Sequence, residues 1–218
     1  MENLYTSNLA IDLGTIGYEQ CLRIQKNLLS RRLEGTIPDT ILFLEHTPVY
    51  TTGRRDEPSN YTGISVIKTE RGGDVTYHGP GQLVIYPILK LWERDGKIDV
   101  RGFVVKLENI VIRSLGKFGF DASVGEEPGI WVSYGGEKKK VASMGLAIEK
   151  GISYHGISIN TGKEVLEGFS RINPCGMDSS VMGYVNINRD DLIPVLVSEF
   201  SEVFGRFHMD SPECLLVK

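Results

Sequence analysis

Cys175 is the residue of this 218-residue chain whose surroundings most favour covalent chemistry. It lies between Pro174 and Gly176 in a stretch without hydrophobic periodicity, which predicts a turn that presents the sulfur. An unperturbed thiol, with a pKa of about 8.5, is only a few per cent thiolate at pH 7, so a nucleophilic cysteine needs a neighbouring cation or base. An inert loop cysteine is the alternative. The candidate partners are His78, Lys140, His155 and Arg171.

Residues 71–82 have the composition of a loop that holds a ligand. Four glycines lie between Gly72 and Gly81, and glycine lets the backbone approach a ligand more closely than a Cβ would allow. Arginine, threonine, tyrosine and histidine side chains in the same segment offer hydrogen-bond donors. Neither the dinucleotide-binding pattern nor the P-loop pattern is present, so a nucleotide phosphate loop is not supported. The alternative is a turn whose polar groups bond its own backbone.

Lys140 directly precedes an apolar run, which places it at the mouth of a predicted strand. We expect Lys138 and Lys139, just before it, to lie on a solvated turn. His155 lies on the next predicted strand, and taken alone it is best interpreted as a half-buried structural histidine.

Three segments have the 3.6-residue periodicity of helices. The first covers about residues 17–34 and carries Cys21 on its apolar stripe. The second covers about residues 100–118, with Asp99 as its predicted N-cap and Gly119 as its end, and the third covers about residues 190–204 behind Asn188.

Most of the remaining apolar runs are short and rich in β-branched residues, which indicates strands. Short turns containing glycine join the last three runs into a predicted antiparallel meander over about residues 130–160. Strands and helices do not alternate strictly, so we predict an α+β fold with a mixed, largely antiparallel sheet flanked by helices, in a single domain over residues 1–218. The predicted strands are residues 41–44, 64–69, 83–88, 130–133, 140–148 and 152–159.

Composition excludes several classes of function. The 24 basic and 28 acidic residues give a net charge of −4, which does not favour nucleic acid or an anionic membrane. No apolar run approaches the ~18 residues that span a bilayer, and residues 1–6 do not resemble a targeting peptide. The three cysteines have no C-x-x-C spacing, which argues against a disulfide framework and a zinc site. We therefore expect a cytoplasmic protein without a bound metal.

Six segments, in this order, resemble the lipoyl(octanoyl) transferase family, which is related to the lipoate and biotin protein ligases. They are LEHTPVYTTGRR (44–55), RGGDVTYHGPGQ (71–82), GIWV (129–132), KVASMG (140–145), YHG (154–156) and NPCG (173–176). The resemblance implies an α+β core like that of the biotin/lipoate protein ligases. It also implies a Cys/Lys dyad, in which Cys175 is the acyl-thioester nucleophile and Lys140 stabilises its thiolate. The residues that it implies for acyl binding are Arg71, Gly72, Gly73, Asp74, Val75, Thr76, Tyr77, His78, Ser143, Met144, Gly145, Gly156, Ile157 and Ser158.

The implied reaction transfers octanoyl from octanoyl-acyl carrier protein to a lysine of lipoyl domains, the first step of endogenous lipoate synthesis. The implied acceptors are the lipoyl domains of 2-oxoacid dehydrogenases and the glycine cleavage H protein. No cofactor is expected, because an amide is more stable than a thioester and the transfer needs no ATP. Since these partners are acidic by resemblance, we expect a basic rim around the site. Its candidate residues are Arg54, Arg55, Arg71, Lys138 and Lys139.

Competing hypotheses differ in how they use Cys175. An ATP-dependent lipoate ligase on the same fold would not need this thiol, and a lipoyl amidotransferase would take its acyl group from another lipoyl-bearing protein. A papain-like peptidase is disfavoured because the sequence context of its cysteine is absent. A module that binds lipoyl domains without catalysis also stays open.

Overall fold

The computed structural model describes residues 7–91, 93–94 and 97–216. Residues 1–6, on which the expectation about a targeting peptide rests, lie outside the described residues. The helices are α1 (Tyr18–Leu33), α2 (Val100–Gly116), α3 (Val165–Phe169) and α4 (Arg189–Phe204). The strands are β1 (Asn8–Ile16), β2 (Thr40–His46), β3 (Val49–Thr52), β4 (Ile67–Lys68), β5 (Thr76–His78), β6 (Gln82–Ile88), β7 (Glu93–Arg94), β8 (Lys97–Ile98), β9 (Ala122–Val124), β10 (Ile130–Tyr134), β11 (Glu137–Glu149), β12 (Ile152–Asn160) and β13 (Phe207–Asp210).

An eight-stranded sheet organises the described residues, in the order β13-β1-β2-β6-β12-β11-β10-β9. The β13–β1 and β1–β2 pairs are parallel, and the other neighbours are antiparallel. This arrangement confirms the predicted mixed, largely antiparallel sheet and the meander β10-β11-β12. A smaller sheet, β4-β3-β5, lies beside the glycine-rich loop.

Helices cover both faces of the large sheet, because strand residues alternate between two apolar faces. On one face, α2 and α4 bury Leu107 and Leu196 against Ile85 and Ile157. On the opposite face, α1 packs its apolar stripe, with Cys21 fully buried, against β2 and β6. The sheet between these layers includes β6, β11 and β12, which contribute part of the candidate site.

The predicted helix starts are confirmed by their caps. Asp99 Oδ1 accepts a hydrogen bond from Gly102 N at 2.8 Å, and Asn188 Oδ1 accepts one from Asp190 N at 2.9 Å. The predicted strand 64–69 is largely wrong, since only Ile67–Lys68 pairs, with the four-residue β3. No helix among the described residues is long and apolar enough to cross a membrane.

Candidate active site

A cavity of about 260 Å³ lies beside β11 and β12 and collects the predicted site residues from four separate parts of the chain. Cys175 and Lys140 both line it, as do thirteen of the fourteen residues predicted to bind the acyl group. Tyr77 is the exception and corrects the expectation for residues 71–78. Because neighbours in a strand point to opposite sides, Thr76 and His78 face the cavity while Tyr77 packs against Phe169 at a ring distance of 5.9 Å.

Cys175 is exposed at the tip of a single turn of 3₁₀ helix, Pro174–Gly176. Its backbone has φ 56° and ψ 29°, a left-handed conformation that costs a residue with a side chain about 1–2 kcal/mol. Gly176 follows with φ 81°, and its N–H donates to Asn173 O at 3.0 Å. The turn therefore presents the thiol, as predicted, and the surrounding hydrogen bonds must hold a strained conformation.

Lys140 is only 4% exposed, so it differs from Lys138, which is exposed, and from Lys139, which is half-buried and donates to Ser180 O at 3.0 Å. The strand begins at Glu137, three residues earlier than predicted, because Lys138 and Lys139 pair with β10 after a turn at Gly135 and Gly136. Lys140 thus lies inside β11 and not at its mouth. Burial lowers the pKa of Lys140, while the charge of a Cys175 thiolate raises it. These two residues are therefore electrostatic neighbours in one cavity.

Arg71 is a second cation at the cavity. It is only 7% exposed, so the expectation that it belongs to an exposed basic rim was wrong. Its guanidinium donates to Thr51 O at 2.9 Å, to Asp74 O at 2.7 Å and to Gly72 O at 3.0 Å, and so closes the glycine-rich loop on itself. Burial lowers the pKa of Arg71, and the Cys175 charge opposes that shift. The side chain crosses β11 at Gly145, where a Cβ would lie 3.0 Å from Arg71 Cδ.

The histidines at the cavity are neutral at pH 7. Burial lowers the pKa of His78 to about 3 and that of His155 to about 4. His155 is 1% exposed, so it is fully rather than half buried. The Gln82 amide donates to Asn160 Oδ1, which leaves Gln82 Oε1 to accept a hydrogen bond from His78 Nδ1 at 2.6 Å. Neither ring supplies a cation to Cys175.

Arg171, the remaining candidate partner, is exposed and does not line the cavity. Its guanidinium lies 5.8 Å from the centre of the Tyr50 ring, in a cation–π contact outside the cavity. Lys140 and Arg71 are therefore the buried cations that the described structure places at the cavity with Cys175, and the exposed Arg55 is a third cation at its lining.

Comparisons with known proteins give the family. The chain matches the lipoyl protein ligase A/B catalytic domain over residues 17–201. An octanoyltransferase from Alkaliphilus metalliredigens is 40% identical to it over 214 residues, which cover 89% of this chain and 94% of that protein. The chain belongs to the lipoyl protein ligase A/B family. The resemblance read from the six sequence segments is thereby confirmed.

Solved structures of other proteins share the fold. A bi-partite lipoate protein ligase from Thermoplasma acidophilum superposes with a TM-score of 0.70 at 17% identity, over 97% of this chain and 91% of that one. A biotin acetyl coenzyme A carboxylase synthetase from Helicobacter pylori gives a TM-score of 0.50 at 13% identity, over 88% and 74% of the two chains. These likenesses confirm the predicted α+β core of the biotin/lipoate protein ligases.

The sequence patterns of this A/B family member did not indicate two tyrosines that line the cavity. Tyr18 is the first residue of α1, and Tyr86 lies on β6, where its hydroxyl is 2.9 Å from His46 Nε2. The His46 Nδ1 atom is 2.9 Å from Ile16 O, so it carries the ring proton, and the Tyr86 hydroxyl donates to Nε2. A hydrophobic helix start and an apolar strand carry no local sign of such a role.

Backbone N–H groups can stabilise an oxyanion only where they are not already engaged, and the glycine amides of the loop and of the Cys175 turn differ in this respect. Gly72 N donates to Leu146 O at 2.9 Å, and Gly176 N donates to Asn173 O, so both are engaged. Gly73 lines the cavity with φ 87°, and its N–H has no hydrogen-bond partner among the described residues. Nor do these residues include three His, Cys, Asp or Glu side chains grouped so that they could hold a metal ion.

Proposed function

We propose that this protein is an acyltransferase that moves an octanoyl group from a carrier thioester to a lysine of a lipoyl domain through a thioester on Cys175. One observation carries the proposal: an exposed, turn-presented thiol and a buried lysine open on the same cavity, in a member of a family whose curated relatives are octanoyltransferases. The cavity walls combine glycine backbone with apolar side chains such as Val75, Met144 and Ile157, which suit an alkyl chain.

The first half-reaction exchanges one thioester for another. The Cys175 thiolate attacks the carbonyl carbon of the donor, the C–S bond to the carrier breaks, and the carrier thiolate leaves and takes a proton from Lys140. While the carbonyl oxygen carries negative charge, we propose that the unengaged Gly73 N–H and the Arg71 cation stabilise it, which their position at the cavity supports.

The second half-reaction forms the amide. The neutral amine of the acceptor lysine attacks the octanoyl-Cys175 carbonyl, and the C–S bond breaks to return the thiolate. Lys140, now neutral, takes the proton that the amine loses. An amide is more stable than a thioester, so the sequence of steps runs without ATP.

For the partners, we propose octanoyl-acyl carrier protein as the donor. The proposed acceptors are the lipoyl domains of 2-oxoacid dehydrogenases and the glycine cleavage H protein. The exposed Arg54 and Arg55, beside the glycine-rich loop, support docking of acidic partners. The three free cysteines fit a reducing cytoplasm. We also propose that residues 1–218 act as one catalytic domain, a proposal supported by the pairing of β1 with β13 from the two ends of the chain.

Intact mass measurement after exposure to octanoyl carrier tests the proposal. The parent should gain one octanoyl group that hydroxylamine removes, the Cys175→Ala variant should gain none, and the matched control Cys214→Ala should behave as the parent. Adding a lipoyl domain should discharge the parent adduct. Octanoylation of the lipoyl domain from the carrier by Cys175→Ala would replace the thioester route with direct transfer, and transfer that requires ATP and free octanoic acid would replace it with the ligase route.

A further inference from the structure

Hydrogen bonds connect the glycine-rich loop to the turn that carries Cys175 through a third segment, the 3₁₀ turn Pro58–Tyr61. Asp74 in the loop is fully buried, and its carboxylate turns towards this segment. Asp74 Oδ1 accepts a hydrogen bond from Glu57 N at 3.0 Å, and Asp74 Oδ2 accepts one from Asn60 Nδ2 at 2.5 Å. Both carboxylate oxygens are thus engaged by protein groups.

Asn60 extends this connection to the nucleophile turn. Its backbone carbonyl accepts a hydrogen bond from Asn173 N at 2.8 Å, and Asn173 O in turn accepts one from Gly176 N. The Asn60 amide nitrogen lies beside Gly176, 3.8 Å from the position that a Cβ there would occupy. Asn60 therefore contacts both sides of Cys175 in the chain, at Asn173 and at Gly176.

Cys175 needs such support because its left-handed backbone is strained and its side chain is exposed. Packing that would hold a buried side chain in place is weak for an exposed one. The direction of the sulfur consequently depends on the hydrogen bonds that fix the turn. The opposite end of the connection is equally fixed, since Asp74 O accepts a hydrogen bond from Arg71.

We propose that Asp74 and Asn60 are positioning residues, which orient the Cys175 sulfur towards Lys140 and the bound thioester. This inference rests on the proposed function of Cys175. It also changes the role of Asp74, which the sequence resemblance placed among the acyl-binding residues. The carboxylate acts through Asn60 on the nucleophile turn rather than on the substrate.

A reciprocal exchange of the two side chains tests the proposal. In Asp74→Asn, the side-chain amide oxygen can replace only one of the two accepting carboxylate oxygens, so one of the bonds from Glu57 N and Asn60 Nδ2 is lost. In Asn60→Asp, two carboxylates face each other and repel. The double variant Asp74→Asn with Asn60→Asp restores both bonds, because the new amide oxygen accepts from Glu57 N and the new amide nitrogen donates to the new carboxylate. Net charge is the same in the parent and in the double variant.

The readouts are the single-turnover rate of octanoyl transfer onto Cys175, the alkylation rate of Cys175 by iodoacetamide, and the thermal unfolding midpoint. At temperatures well below the midpoint, each single variant should form the adduct about 10²-fold more slowly, the cost expected for a misplacement of about 1 Å. Iodoacetamide alkylation, which needs no docked thioester, should change much less. The double variant should recover most of the acylation rate. Asp178→Asn, which alters the exposed cap of the next 3₁₀ turn, should acylate as the parent does.

The outcomes distinguish a failure of the positioning role from a failure of the proposed function. Parental acylation rates in both single variants, or a folded double variant that is as slow as the single ones, would overturn the positioning role. If a single variant does not fold, the folded double variant decides by its rate. Absence of an octanoyl adduct on the parent would overturn the proposed function itself, and the positioning role with it.

Discussion

The substitution Gly53→Ala should disable the site from outside the cavity. Gly53 lies beneath the glycine-rich loop, and an added Cβ would lie 2.6 Å from Gly73 O, 2.7 Å from Arg71 O and 2.9 Å from Gly72 O. These are backbone atoms, so no side-chain rotation relieves the overlap. The loop carbonyls must instead move away from residue 53.

The size of the movement follows from these distances. Restoring the shortest contact from 2.6 Å to the 3.4 Å of an ordinary contact requires a shift of about 0.8 Å. That shift strains two hydrogen bonds of 3.0 Å, from Arg54 N to Arg71 O and from Arg55 N to Gly73 O. Overpacking costs about 1–3 kcal/mol, and losing both hydrogen bonds, at about 1 kcal/mol each, costs about 2 kcal/mol more, so the free energy of unfolding should fall by about 3–5 kcal/mol. Octanoyl transfer should slow by about 10²-fold, because Arg71 and Gly73 leave their places.

Urea unfolding and single-turnover acylation, both at a temperature where the variant is folded, measure the two effects. Gly116→Ala is the matched control, since nothing lies within 4 Å of its added Cβ and the residue is helical. It should keep full activity and gain about 0.5–1 kcal/mol of stability. A Gly53→Ala protein with parental stability and rate would refute the argument that close packing on Gly53 sets the position of the loop.

Two further predictions concern charge. Lys140→Met should slow iodoacetamide alkylation of Cys175 at pH 7 about tenfold, which corresponds to about 1.4 kcal/mol of lost charge stabilisation of the thiolate. The control Lys139→Met, which loses a surface ion pair, should change the alkylation rate less than twofold. Equal effects of the two substitutions would show that Lys140 is not the partner of Cys175. Burial lowers the pKa of His78 to about 3 in the folded state, against about 6.5 in the unfolded chain. Between these two pH values the unfolded chain binds a proton at His78 that the folded chain does not bind. The free energy of unfolding therefore decreases by about 1.4 kcal/mol for each unit by which the pH is lowered. The pH dependence of urea unfolding near pH 5 should therefore show about one proton less taken up in His78→Gln than in the parent, and an unchanged uptake would contradict the neutral state of His78.

Local signals account for the parts of the fold that the sequence predicted well. The α2 and α4 starts follow from the Asp99 and Asn188 caps, whose hydrogen bonds reach only two or three residues along the chain. β13 was missed because its single described partner is β1, at the other end of the sequence. The helix α3 was also missed, because its five residues are too few to show helical periodicity in the sequence.

The parts of the site that depend on residue type and on the local sequence could be predicted, and the parts that depend on tertiary contacts could not. A proline and a glycine around Cys175 indicated a turn, and the turn exists. By contrast, arginine is normally an exposed residue, so nothing in the sequence showed that Arg71 is buried or that it closes its own loop. The side-chain direction of Tyr77 required the exact register of β5 against β3.

In the mechanism that we propose, the electrostatics of Lys140 connect the two half-reactions. In the free enzyme, burial lowers the pKa of Lys140, and the charge of the Cys175 thiolate opposes that shift. Acylation converts the thiolate into a neutral thioester and removes the charge that raised the pKa, whereas burial by the protein remains. The lysine therefore loses its proton more easily just when the incoming amine needs a base. One buried side chain can thus serve as a cation before acyl transfer and as a base after it, without a second titrating group, which agrees with the neutral state of the cavity histidines.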